Sequence, residues 1–233
     1  MVRRAHGDHT ALQSAQQALL DRYGGAVRRY ALAALRDEDA ADEVLQEFAL
    51  KFVRGDFGNA DPERGRFRAF VKTVVYRLIV DYQRRGKRQR REGPMHSNIS
   101  EPEAADQSPE DDKLFHASWR DELLARAWEK LADDEQQTGK PHHTVLRYRV
   151  DHPELRSPEL AAGLTQKLDK SVNAGAARVL LHRARDAFAD LLLEEVTESL
   201  ADGSLDEAEQ ELIELDLLEY CRPALDRRRG KKE

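Results

Sequence analysis

Between Phe67 and Tyr82 the chain reads FRAFVKTVVYRLIVDY. Its apolar residues Phe67, Phe70, Val71, Val74, Val75, Leu78, Ile79 and Tyr82 recur at steps of three and four. Side chains so spaced share one face of an α-helix, and an apolar face of that length must be buried. Phe67 and Phe70 are therefore core residues. Lys72, Thr73, Tyr76, Arg77 and Arg84 fall on or near the outer face, and the helix runs into RRGKRQRR at 84–91. From Pro62 to Arg91 there are eleven basic residues against two acids, Glu63 and Asp81. Such a surface attracts a polyanion, whatever the formal charge of −6 on the whole chain.

Upstream, two further helices precede this one. Residues 10–36 carry Leu19, Leu20, Tyr23, Val27, Tyr30 and Leu35 at near-helical steps, and the pair Gly24-Gly25 is expected to bend or divide that helix. Asp37 is placed to cap a second helix reaching about Arg54, with Ala41, Val44, Leu45, Phe48 and Phe52 as its buried stripe. Asp42, Glu43, Gln46 and Glu47 lie opposite that stripe.

Downstream, composition changes abruptly. Residues 92–112, EGPMHSNISEPEAADQSPEDD, hold three prolines and almost no apolar side chain, so they read as a linker. Helical spacing resumes from Lys113 to Ala132 through Leu114, Trp119, Leu123, Leu124, Trp128 and Leu131, and another helix starts near Thr144. Ser157-Pro158 signals a helix start, serine as the cap and proline at the first helical position. After the turn Asp169-Lys170, Ser171 can cap a further helix with Ala174, Ala177, Leu181, Ala184, Phe188 and Leu191 facing inward. Two helices joined by a short turn, the second with Arg178, His182 and Arg183 outward, have the form of a helix-turn-helix.

The last part is acidic. Eleven acids and no lysine or arginine lie between Glu194 and Glu219, while Leu205, Leu212, Leu215 and Leu218 mark a short helix able to pack on either domain. The end, RRRGKKE, is basic. Charged residues make up 35% of the chain and aromatics 6%, a balance that suits narrow-striped helices better than sheets. The fold class expected is all-α, with two small helical domains joined by a flexible acidic linker.

Several functions are disfavoured. A single cysteine, Cys221, has no disulfide partner within the chain and reads as an inert thiol. His6 with His9, and His142 with His143, lack supporting ligand spacing, so neither a metal nor another cofactor is expected. No nucleophile or phosphate loop suggests an enzyme. No run approaches the roughly 18 apolar residues that span a bilayer, and the start lacks a secretory leader, so membrane insertion is not expected and the chain reads as cytoplasmic.

Two segments resemble the extracytoplasmic-function sigma factors, subunits of bacterial RNA polymerase. VNAGAARVLLHRAR, residues 172–185, is similar to that family's DNA-reading helix at Gly175, Arg178, Leu181, His182, Arg183, Ala184 and Arg185. DEVLQEFALKF with RFRAFVKTVVYRLIVDYQRR is similar to its domain for polymerase docking and promoter melting. Departures occur at Tyr76-Arg77, where the family often has Arg-Asn, and at Leu180, where it often has arginine; the chain beyond about Val196 matches no general family feature.

The resemblance implies residues 10–91 as a docking and melting domain, 92–112 as linker, 113–196 as a helix-turn-helix domain and 197–233 as an acidic helical tail. Asp42, Glu43, Gln46 and Glu47 would contact the clamp helices of the largest polymerase subunit. Lys72, Thr73, Tyr76, Arg77, Arg84 and Arg85 would hold the melted minus-ten strand, Tyr76 by stacking. Ser171, Asn173, Gly175, Ala176, Arg178, Val179, His182 and Arg183 would read the minus-thirty-five element. Core RNA polymerase, including its flap, and promoter DNA are the implied partners, with an anti-sigma factor as a further candidate. The alternative is a helix-turn-helix regulator or sigma-like adaptor that binds DNA without directing initiation. The linker fits a plain tether or an acidic segment threading a channel built for RNA.

Overall fold

A computed structural model describes residues 2–54, 67–89, 108–200 and 203–230, and among these every regular element is an α-helix. The chain divides into two compact units, Met1–Glu122 and Leu123–Glu233.

The first unit contains α1 (Val2–Leu35), α2 (Glu38–Arg54), α3 (Phe67–Gln89) and the opening turns of α4 (Pro109–Thr138). Arg36 adopts a left-handed φ of 56° and ends α1; Asp37 then caps α2, its Oδ1 accepting from the Ala40 amide at 3.0 Å. Tyr23, Val27 and Tyr30 of α1 meet Val44 and Phe48 of α2 and Val71, Val75, Leu78 and Ile79 of α3 in a buried core. At roughly 1.5–3 kcal/mol for each large apolar side chain fully buried, this stripe-to-stripe packing is what holds three separately marginal helices together.

Gly24 and Gly25 do not divide α1, which is continuous through them. They make room instead: a Cβ on Gly24 would reach 3.6 Å from Leu45 Cδ1, and one on Gly25 would overlap the Glu122 carboxylate. Glu122 in turn pairs with Arg29, one turn further along α1.

The linker reading ended at Asp112 and the second domain opened at Lys113; in the structure the division falls after Glu122. Residues 92–107 lie outside the described residues. Pro109–Asp112 form the first turn of α4, capped reciprocally: Ser108 Oγ accepts from the Asp111 amide at 3.2 Å, and Asp111 Oδ2 accepts from the Ser108 amide at 3.2 Å. Phe115 and Trp119 then join the first core, Phe115 edge-on to Tyr30 at 5.3 Å and Trp119 stacked on Tyr23 at 5.0 Å. Leu114, assigned to the apolar stripe from sequence, is 38% exposed. The buried stripe runs Phe115, Trp119, Leu123, Ala127 and Leu131, with a step of four that leaves Leu114 on the solvent side.

In the second unit the remainder of α4 is joined by α5 (His142–Asp151), α6 (Ser157–Leu168), α7 (Ala174–Glu198), α8 (Leu205–Glu214) and α9 (Leu218–Gly230). Helix α7 is its spine, touching α5, α6, α8 and α9. Gly163 lets α6 close on α5, since a Cβ there would overlap the Tyr148 phenol. Ser157 is the first residue of α6 rather than its cap; Arg156 precedes it, extended, and its amide donates to Glu159 Oε2 at 2.6 Å. Asp169, at φ 49°, closes α6 in the left-handed region. The Val172 amide then donates to Thr165 Oγ1 at 3.0 Å, fixing the connection.

The tail is part of this unit. Leu212, Leu215, Cys221, Ala224 and Leu225 are buried, and α8 and α9 both pack on α7 and on each other.

Candidate functional site

The outer face of α2 presents Asp42, Glu43, Gln46 and Glu47, of which Gln46 and Glu43 are exposed and the other two half-buried. Three of the four are engaged within the unit. Arg28 Nε donates to Asp42 Oδ1 at 2.6 Å, and that bond, reinforced by the charge of Asp42, raises the guanidinium pKa. Arg85, from the far end of α3, lies 3.7 Å from Glu43 and 3.5 Å from Glu47. The acidic face and the basic helix end, separate readings in the sequence, are thus adjacent.

On α3 the six basic and polar residues divide into two groups. Arg77, Arg84 and Arg85 are exposed, and Tyr76 is half-buried. Lys72 is turned toward α4 and donates to Asp112 Oδ1 at 2.9 Å. The Thr73 hydroxyl donates back to the Ala69 carbonyl at 3.0 Å, a bond within its own helix.

In the second unit, Ser171, Asn173, Gly175, Ala176, Arg178, Val179, His182 and Arg183 are all exposed. Ala177 and Ala184 are buried beneath them, so the first half of α7 shows one small-residue face to its neighbours and one cationic face to solvent. The cap of α7 is Asn173, not Ser171. Asn173 is extended, at φ −90° and ψ 169°, and its Oδ1 accepts from the Ala176 amide at 2.8 Å. A Cβ at Gly175 would sit 3.3 Å from that same oxygen, which gives the glycine a local reason. Val179, 49% exposed, is a large apolar side chain standing in solvent next to Arg178 in the chain. His182 Nε2 lies 3.5 Å from Asp186 one turn on.

Two features were not visible in the sequence. One is the pairing of the terminal arginine run: Arg227 pairs with Asp186 and Asp190, Arg228 reaches Glu194, and Arg229 pairs with Asp206 and Glu209. The alternation of an acid run with RRR was the available signal. The other is Glu195, fully buried on α7 and held by Arg126 Nε at 2.9 Å and Lys130 Nζ at 2.7 Å. Burial lowers the Lys130 pKa, but hydrogen bonds to Glu195 and Glu194 outweigh it and the net shift is upward.

Cys221 is buried, and that burial, followed by the charge of Asp190, pushes its thiol up to about 12. The His143 ring lies edge-on to Trp128 at 5.7 Å. Among the described residues no group of histidine, cysteine and acid side chains is gathered as a metal site, and no helix is long and apolar enough to cross a membrane. His6 and His9 have side chains outside the described residues.

Residues 19–89 match the family model for Sigma-70 region 2. The match covers α2, α3 and the second half of α1, less than a third of the chain, and it supports a sigma-70 family member. Region 2 belongs to transcription initiation factors and binds core RNA polymerase and promoter DNA. No curated protein and no solved structure matches the chain.

Proposed function

We propose that the chain is a sigma factor of the extracytoplasmic-function type, acting in the cytoplasm to direct bacterial RNA polymerase to particular promoters. The observation that carries this reading is the region 2 match over residues 19–89, because those residues hold both the acidic face of α2 and the basic face of α3. On this reading Asp42, Glu43, Gln46 and Glu47 dock on the clamp helices of the largest subunit, exchanging the cations of Arg28 and Arg85 for those of the polymerase. Tyr76 stacks on a base drawn out of the minus-ten element, worth about 1–3 kcal/mol, while Arg77, Arg84 and Arg85 follow the strand's phosphates. Affinity then falls steeply with salt.

In the second unit, α6, the 169–173 connection and the start of α7 act as a helix-turn-helix. The cationic face of α7 enters the major groove of the minus-thirty-five element. Arg178 and Arg183 can each fork onto guanine O6 and N7 or onto a phosphate, Val179 suits a thymine methyl, and Gly175 with Ala176 lets the backbone approach closely. What supports this is the exposure of every one of these side chains on a helix whose other face is buried.

Purified chain mixed with core polymerase is the decisive experiment. Co-elution and a transcript that depends on the promoter are expected. DNA binding without co-elution would make the chain a helix-turn-helix regulator instead.

A further inference from the structure

Asp112, in the acidic first turn of α4, reaches Lys72 on the helix read above as the strand-binding surface. Lys72 donates to Asp112 at 2.9 Å, with its side chain only 21% exposed against 43% for Asp112. This is no loose tail meeting a lysine by chance of conformation. The turn is locked at its start by the Ser108–Asp111 cap, where Ser108 Oγ also donates to Asp111 Oδ2 at 2.9 Å. It is anchored further along by Phe115 on Tyr30, Trp119 on Tyr23 and Glu122 on Arg29. Tyr30 is almost wholly buried, and its phenol pKa is raised by burial and then by Asp111, Tyr76 and Asp112. Asp111, Asp112 and Tyr76 thus lie within electrostatic reach of the Tyr30 phenol, and Lys72 is paired with Asp112.

An ammonium group is a compact point charge with three rotatable donors, and it donates to a carboxylate or to a phosphate oxygen. We propose that Asp112 stands where a DNA phosphate would sit on Lys72, so that the first turn of α4 is an intrachain plug that an incoming single strand must displace. The proposal rests on the reading of α3 as the melting helix. It makes Lys72 a latent contact: the free chain engages a strand through Arg77, Arg84 and Arg85, and Lys72 joins only once Asp112 has been released. A partly exposed ion pair is weak enough for that exchange to be reversible.

The test is binding of a fluorescein-labelled single-stranded DNA oligonucleotide to the full chain, followed by anisotropy across a salt series. Asp112→Asn is expected to tighten binding by about two- to fivefold, the strength of one partly exposed pair. The slope of log affinity against log salt should steepen by about 0.7, one extra phosphate on a single strand. In a Lys72→Ala background both gains should vanish. Glu110→Gln removes an exposed acid from the same turn and should tighten binding less. In the otherwise unaltered chain, Lys72→Ala should weaken binding less than Arg77→Ala does. An absent gain in Asp112→Asn, a gain that survives Lys72→Ala or is equalled by Glu110→Gln, or the reverse order of Lys72 and Arg77 would each overturn the plug. Arg77→Ala separates the two ideas: if it still weakens binding when Asp112→Asn shows no gain, only the plug fails. Binding indifferent to Arg77 in every variant removes the reading of α3 as well.

Discussion

Arg227 of α9 places its Nη2 atom 3.0 Å from Asp190 Oδ1 of α7, while Leu225 two residues earlier is buried. The C-terminal helix is therefore held on α7 by an exposed ionic contact and a dry apolar one. The two differ in strength, because an ion pair in water gains little and a lost core side chain leaves a cavity. Leu225→Ala should cost about 2–5 kcal/mol, and Arg227→Ala at most about 1 kcal/mol. Urea unfolding of the two variants checks this; equal losses would mean that the arginine clamp retains the tail as strongly as the core does.

Glu195 is a fully buried carboxylate with two partly exposed cations. Replacing Arg126 and Lys130 together by methionine takes both of these cations from the buried carboxylate and should destabilise by about 3–5 kcal/mol. Glu195→Met should cost less, since the two cations can turn toward water. Chemical denaturation of both variants gives the comparison, and a larger loss in Glu195→Met would contradict it.

Cys221 makes a pH prediction with a definite sign. Its thiol has an ordinary value of 9.0 and is pushed up to about 12 by burial. Below about 9 the neutral thiol is present folded and unfolded alike, so its contribution is intact; as pH rises from there toward 12 the unfolded chain ionises first and stability falls. Alkylation by iodoacetamide at pH 8 should accordingly track unfolding, slow in water and fast in denaturant. Rapid alkylation of the native chain would show the thiol to be accessible.

Arg178 and Glu47 test the proposed function from opposite ends. Arg178→Ala should weaken binding to particular upstream sequences by about 1–3 kcal/mol, measured by competition among promoter duplexes. Equal losses on every sequence would reduce it to a phosphate contact. Glu47→Lys places a cation on α2 beside Arg85 of α3 and should impair assembly with core polymerase, read by gel filtration; normal assembly would remove α2 as the docking face.

Much was legible from local pattern. The stripes of α2 and α3 and the outward Arg178, His182 and Arg183 follow from a period of 3.6 residues, and the Asp37 cap from a short polar side chain at a helix start; one stretch of chain carries each signal without reference to any other. Cap choice was less legible. Ser171 and Asn173 are both good caps, and the hydrogen bonds of Thr165 to the connection decide that α7 starts after the second.

By itself, the sequence determined that the described chain is helical, which faces of α2, α3 and α7 are apolar, and where cationic side chains can gather. Tertiary structure alone decided which stripe each helix meets: that Phe115 and Trp119 join the first core, that Asp112 faces Lys72, and that α8 and α9 close on α7. The reason is that burial is non-directional. A periodic apolar face states that it must be covered, but the identity of its cover depends on the shape and charge of distant segments.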